Sequence, residues 1–283
     1  MSNNISAVLE NRNAHERDSL IKFYARGHKY EITTDPKSKY TSVTTWNHQQ
    51  FPKFDADGII ANIFKSKSWG PEHKYWGQSA EEIKASWKSN GDSVAGAGTS
   101  LHERIENFMN NKCFQFNYTH KELHEMYDSD NHNKVDEAIE WEYFLQFVRD
   151  YPEFKPYRTE WMIFDEELKL AGSVDMVYQN PDGTLTIYDW KRSKDITKAN
   201  TWKKFALNPL ISHIPDTNFW HYALQLNTYK AIIEKNYGKQ VTKLCLVRLH
   251  PDIKEQTYEL LEVPILTKEM NNLFEQRKKE VSL

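Results

Sequence analysis

Cysteine is scarce, with only Cys113 and Cys245 in 283 residues. Two thiols are too few for a four-thiolate iron–sulfur cluster and make a disulfide scaffold a poor fit, so a reducing intracellular setting is expected. An excess of charge of either sign is also missing: 37 Lys and Arg stand against 40 Asp and Glu, a net of -3. Proteins that coat nucleic acid by bulk attraction carry a basic face large enough to dominate the total, so any nucleic-acid contact here must be local. No stretch approaches the roughly 18 consecutive apolar residues of a membrane helix. The opening MSNNISAVLENRNAHERDSL lacks the apolar centre of a signal peptide, and Glu10, Glu16 and Asp18 count against an acid-poor transit peptide. A soluble intracellular protein without membrane contact is the expectation.

What the chain has in abundance is aromatic: nine Trp, 15 Tyr and 14 Phe. Most belong in a core, though such rings also stack on unpaired bases. The length suits one large domain with a helical N-terminal part.

Residues 23 to 45 alternate and break at Asp35-Pro36, which predicts a hairpin ending in Tyr40-Thr41-Ser42-Val43-Thr44-Thr45. Helices are expected at about 55 to 67 and 79 to 90, the second opened by a capping box of Ser79 and Glu82. Gly91 to Gly98 reads as a small, flexible stretch before a helix whose Leu101, Ile105, Phe108 and Met109 form one apolar stripe. A further amphipathic helix is expected over about 134 to 150. The period then changes to two, predicting strands at 157 to 164, 170 to 178 and 185 to 191, the last two joined by the turn signal Asn180-Pro181-Asp182-Gly183. A helix from about 218 to 236, strands at 241 to 250 and 257 to 263, and a charged C-terminal helix complete the reading. The expected division is an N-terminal hairpin and helical part, 1–97, and a core, 98–283, forming one compact unit.

Asp189 and Lys191 lie two residues apart in a predicted strand, so both side chains point to one face, which Leu185 and Ile187 share. Asp175 lies on the other strand of the same hairpin and can be paired close to Asp189. Two carboxylates beside an ammonium suit phosphodiester hydrolysis, which needs acidic oxygens for a hard cation and a positive group to orient water or stabilise charge on phosphorus. Taken alone, an Asp-x-Lys triplet is more often a pair of solvated charges.

The surroundings change those odds. Ala171-Gly172-Ser173-Val174-Asp175 and Asp189-Trp190-Lys191 resemble the Gly-x-x-Asp and Asp-x-Lys elements of the PD-(D/E)xK nuclease superfamily. Gly98-Thr99-Ser100-Leu101-His102-Glu103-Arg104-Ile105-Glu106 before them and Gln225-Leu226-Asn227-Thr228-Tyr229 after them resemble the helical elements of its RecB-type branch. Four elements in order span about residues 98 to 230. Tyr40-Thr41-Ser42-Val43-Thr44 is similar to a Ser-Val-Thr element of the mitochondrial genome maintenance exonuclease group. The chain carries neither the helicase partner region nor the cysteine quartet of some RecB-type relatives, and so looks like a stand-alone nuclease.

The resemblance implies an α/β (α+β) restriction-endonuclease-like core, a mixed central sheet flanked by helices. It implies a Mg2+ centre, with Mn2+ as substitute, held by His102, Asp175, Asp189 and the backbone carbonyl of Trp190, while Lys191 orients the attacking water. DNA is the implied partner, single-stranded or with a free end, cut exonucleolytically in replication, recombination or repair beneath an arching N-terminal part. A structure-specific endonuclease and a non-catalytic relic of the fold are the alternatives.

Other residues carry two readings each. Glu160 is a third metal-site carboxylate or a strand-edge charge, and Glu106 a partner for His102 or a solvated acid. Gln225 and Tyr229 line the substrate groove or merely pack, and Ser42 joins them as a substrate contact by resemblance. Arg192, Lys194 and Trp202 belong to a basic run after the Asp-x-Lys strand that is a phosphate track with a stacking ring or an ordinary solvated face.

Overall fold

A computed structural model describes residues 7–110, 118–129, 138–201 and 203–282. The chain enters through α1 (Ala7–Arg12) and a 3-10 turn over Glu16–Leu20, then forms a hairpin of β1 (Ile21–Tyr24) and β2 (Lys29–Ile32). Gly27 and His28, at φ of 88° and 48°, turn the chain there rather than at Asp35-Pro36. The Asp35 carboxylate instead ties its loop down, accepting from Ser38 Oγ at 2.8 Å and Tyr40 Oη at 3.0 Å and pairing with Lys169. A two-residue strand, β3 (Thr41–Ser42), leads into α2 (Val43–His48). The β-branched run expected to finish a hairpin is therefore helical. Ser42 explains why: its Oγ accepts from Thr45 N at 3.1 Å, satisfying a donor that would otherwise be orphaned at the helix start.

Next come α3 (Ala56–Phe64) and α4 (Ala80–Met109). Ser79 and Glu82 form the expected capping box, with Ser79 N donating to Glu82 Oε2 at 2.7 Å and Glu82 N to Ser79 Oγ at 3.2 Å. From that cap α4 runs 30 residues without a break, straight through the stretch expected to be flexible. Each of Gly91, Gly96 and Gly98 costs the helix about 1 kcal/mol relative to alanine. No proline interrupts the ladder, and the far end is anchored by buried Leu101, Ile105, Phe108 and Met109. Residues 97 and 98 thus lie within one helix.

Two helices, α5 (His120–Ser129) and α6 (Ile139–Asp150), precede the long strands of the main sheet. The first was not anticipated; for the second, the expected residues 134–137 lie outside the described ones. Then follow β4 (Lys155–Asp165), β5 (Leu170–Gln179), β6 (Leu185–Lys191), α7 (Asn218–Asn236), β7 (Val241–Arg248), β8 (Glu259–Glu262) and α8 (Thr267–Val281). The β5–β6 turn is the predicted one, with Gly183 at φ 86° and Asp182 Oδ1 accepting from Thr184 N at 3.0 Å.

The main sheet is mixed. β5 pairs antiparallel with β4 along one edge, while its other edge takes β3 in parallel at Leu170 and Ala171 and β6 antiparallel from Met176 to Gln179. β6 then leaves β5 and continues in parallel with β7 to Lys191, and β8 closes that side. On one face Leu185 and Ile187 pack with Leu224 and Leu226 of α7, alongside α2 and α8. On the other, Tyr188 and Trp190 pack with Phe144 and Phe147 of α6, alongside α1, α4 and α5. This is a mixed α/β architecture with helices on both faces of a central sheet.

The N-terminal segment is laced to β4 and to the end of α4. Asp18 accepts from Arg158 Nη1 at 2.7 Å and from Trp161 Nε1 at 3.0 Å, and Leu9 N donates to Asn110 Oδ1 at 3.0 Å. No described helix is long and apolar enough to cross a membrane. Cys245 is a free buried thiol, pushed up to about 11 by burial; Cys113 lies outside the described residues.

Candidate active site

The site forms where β5 changes partners. Ladder pairing of β5 with β6 ends at Met176 opposite Tyr188, so the next residues outward, Asp175 and Asp189, flank the fork between the diverging strands. Asp175 holds the fork together, its Oδ2 accepting from Trp190 N at 3.1 Å. Alternation along β6 sends Asp189 and Lys191 to the α7 face with Leu185 and Ile187, as the spacing predicts.

Asp189 is 1% exposed, and Lys191 Nζ pairs with its Oδ2, yet neither oxygen has a well-directed hydrogen bond. Burial and the Asp175 carboxylate push the Asp189 carboxyl above the usual range, against the pull of the ammonium. Burial works to lower Lys191, but Asp189 and Asp175 outweigh it and keep the amine firmly protonated. Lys191 Nζ also lies 4.7 Å from the centroid of the Tyr222 ring on α7.

His102 reaches the fork from α4. Its Nε2 meets the Trp190 carbonyl at 2.9 Å, and its Nδ1 faces Asp175 Oδ2 at 3.5 Å and Glu160 Oε1 at 3.7 Å. Burial lowers the imidazole, but Asp175 and Glu160 prevail and raise it to about 9. The ring thus lies between a carbonyl on one side and two carboxylates on the other.

Glu160 stands on β4 opposite Asp175, between the pairs Thr159–Met176 and Trp161–Val174. Its φ of 42° lies in the left-handed region, a strained conformation that costs about 1–3 kcal/mol for a residue with a side chain. Ser173 Oγ donates to Glu160 Oε2 at 2.8 Å and fixes the carboxylate. One ligand atom each from His102, Glu160 and Asp175 fall within 4.8 Å of one another. Two carboxylates and an imidazole are a donor set that fits a divalent cation, and Asp189, outside that group of three, lies beside it with Oδ2 paired to Lys191 and Oδ1 without a hydrogen-bond partner.

On α7, Gln225 Nε2 donates to Tyr229 Oη at 3.2 Å, and the buried Tyr229 ring lies against Gly172. Ser42 is nearly buried and its hydroxyl serves as the α2 cap. Arg192 Nε is bound to Glu140 Oε1 at 2.6 Å and Lys194 Nζ to Asp252 Oδ2 at 2.9 Å, while Lys198, Lys203 and Lys204 are exposed. Trp202 lies outside the described residues. Glu106 is half-buried on α4, raised to about 7 by burial and by Glu160, Glu103 and Glu10; the carboxylates that face His102 are Glu160 and Asp175.

Two neighbours escaped the sequence reading, and both carry a spacing signal. Ser173 alternates with Asp175 on β5, and Tyr222 precedes Gln225 by three residues on α7, one helical turn away.

Among known proteins, residues 80–281 match the family model of the PD-(D/E)XK nuclease superfamily. No match is found among curated proteins. Among solved structures, the chain is similar to a crystal structure from Eubacterium rectale described as a candidate exonuclease, at 13% identity and a TM-score of 0.37, covering 86% of this chain and 79% of that one.

Proposed function

Because the chain belongs to the PD-(D/E)XK nuclease superfamily, whose members generally use divalent metal ions, we propose that it is a Mg2+-dependent DNA nuclease. The observation that carries the reading is the convergence of His102, Glu160 and Asp175 within 4.8 Å, beside the Asp189–Lys191 pair. His102, Glu160, Asp175, Asp189 and the Trp190 carbonyl would hold the cation, and Mn2+ would substitute. Such an ion supplies Lewis acidity toward a phosphoryl oxygen. Lys191, kept protonated by its carboxylate neighbours, acts as a fixed positive charge that orients water and stabilises negative charge gathering on the phosphate. Asp189 positions that ammonium, and Tyr222 limits its swing.

Within the superfamily we assign the chain to the RecB-type branch, similar to the mitochondrial genome maintenance exonuclease group, on the elements around His102 and Gln225. The preferred substrate is single-stranded DNA with a free end, and the setting is replication, recombination or repair. The N-terminal part would arch over the groove beside the cluster, whose walls are Ala95, Gly98, Thr99 and His102 of α4 and Glu160. Gln225 faces the strand from α7. With Arg192 and Lys194 engaged by Glu140 and Asp252, the phosphate track runs along the exposed Lys198, Lys203 and Lys204.

The test compares linear and circular single-stranded DNA with Mg2+, with EDTA, and with Lys191→Ala and Asp175→Asn. Cleavage of linear DNA that EDTA abolishes, and that either substitution lowers by about 100-fold or more, is the expected result. Undiminished cutting by Lys191→Ala overturns the proposed centre, and robust cutting of circles overturns the exonuclease reading.

A further inference from the structure

Beside the metal-site carboxylates, a cavity of about 430 Å³ opens between the β1–β2 hairpin and the α4–β4 surface. It shares Glu160 with the cluster and Glu106 with the α4 groove, so it continues the site rather than standing apart from it. Its volume falls in the ~300–1,000 Å³ range of small-molecule pockets. The hairpin lines it with three rings: Phe23 lies 4.9 Å from Tyr30 and 5.1 Å from His28, centroid to centroid. Phe23 is 39% exposed, a large apolar surface that nothing in the core requires to face outward. Across the cavity sits Arg158, only 3% exposed, with its Nη1 on Asp18 and its Nε lacking a hydrogen-bond partner.

The chemistry of these walls selects the occupant. Phosphate is disfavoured, because Glu106 and Glu160 present negative charge and the Arg158 guanidinium already holds a carboxylate. A flat heteroaromatic ring is favoured: Phe23 offers a face for stacking, and the Glu106 carboxylate on the opposite wall can accept from an exocyclic amine.

We propose that this cavity is a nucleobase subsite, which takes the base of the nucleotide adjoining the phosphodiester held at His102, Glu160 and Asp175, stacked on Phe23. The proposal rests on the nuclease reading above. It gives the short N-terminal hairpin a task in substrate positioning that none of the nuclease motifs contains.

The experiment combines a variant with a modified substrate. Cleavage of a short single-stranded oligodeoxynucleotide by the full chain is measured with Mg2+, with an abasic residue placed in turn on each side of the first bond cut. Binding of the same oligomers carrying 2-aminopurine at those positions is followed by fluorescence, with Ca2+ replacing Mg2+ to hold off cleavage. Removing the base on one side is expected to raise KM about tenfold with kcat nearly unchanged, the size of one lost base–aromatic stack. Phe23→Ala should produce the same rise on the intact oligomer and no further rise on the abasic one, whereas Phe23→Trp should retain wild-type KM and 2-aminopurine quenching. Equal KM for intact and abasic substrates on both sides overturns the subsite, and so do losses that multiply. The abasic arm uses the unaltered protein and decides the matter even if Phe23→Ala misfolds. Should the unaltered protein neither bind nor cut any of these DNAs, the nuclease reading and the subsite fall together; cutting that ignores the flanking base removes the subsite alone.

Discussion

A methyl group on Gly172 would lie 2.8 Å from Tyr229 Cε1 and 3.3 Å from Val43 Cβ. The glycine of the Gly-x-x-Asp strand and the tyrosine of the Gln-x-x-x-Tyr helix are thus one contact seen from two sides. Absence of a side chain on β5 lets a buried ring seat α7 on the sheet three residues from Asp175. Gly172→Ala is expected to cost about 1–3 kcal/mol through overpacking. Denaturant unfolding checks this, and Gly172→Ala combined with Tyr229→Leu should recover part of the loss; a neutral Gly172→Ala would show that the ring gives way freely.

Glu160 is the carboxylate whose place in the site depends on an unusual backbone. Replacing it with glutamine keeps the shape and the Ser173 contact while removing the charge. Calorimetric titration of Glu160→Gln with Mn2+ is expected to show affinity reduced by about tenfold or more. Unchanged affinity would return Glu160 to the status of a strand-edge charge and leave the cation to His102 and the two aspartates.

His120 lies fully buried against Phe147, Phe154 and Tyr178, its Nε2 at 2.8 Å from Tyr178 Oη. Burial pushes the imidazole down from 6.5 to about 3. A folded value below the unfolded one means that the unfolded chain binds the proton first. The stabilisation is complete above pH ~6.5 and is lost progressively as the pH falls toward 3, by up to about 1.4 kcal/mol per pH unit. Stability measured by urea unfolding between pH 7 and pH 4 should therefore fall, and His120→Phe should flatten the slope even if it lowers stability at pH 7. The same slope in both proteins would assign acid sensitivity elsewhere.

Gly91 and Gly96 sit in mid-helix with open space around the position a Cβ would take. Gly96→Ala is expected to stabilise by about 0.5–1 kcal/mol, as is Gly91→Ala, seen as a raised Tm. A lowered Tm would mean that α4 is not a continuous helix in solution.

The sequence made the β5–β6 hairpin and α7 legible because each has a strong local cause: a two-residue period closed by Asp182-Gly183, and a 19-residue span ended by Tyr237 and Gly238. Asp175, Asp189 and Lys191 lie on that hairpin, and His102 on the apolar-striped end of α4. What stayed hidden depends on tertiary context. The small residues of α4 look like a loop until both anchored ends are seen. Asp35-Pro36 looks like a hairpin turn until Lys169, distant in sequence, pairs with the aspartate. Glu160 is a candidate by its place on the strand, but the backbone angle that turns it toward the site is not written there; Tyr222 shares a helical turn with Gln225, and only the Lys191 ammonium on another element gives that spacing a meaning.

The unbroken helix α4 has a mechanical meaning. At about 1.5 Å per residue it is a rod of about 45 Å. Lys84 is gripped by Asp57, and Trp87 Nε1 donates to Tyr75 Oη at 2.8 Å, so the rod's first half is fastened to the aromatic N-terminal segment. His102, whose ring braces the fork, sits on the same rod, with the glycine-bearing residues between the two. Displacing the N-terminal segment therefore displaces the helix that carries the imidazole.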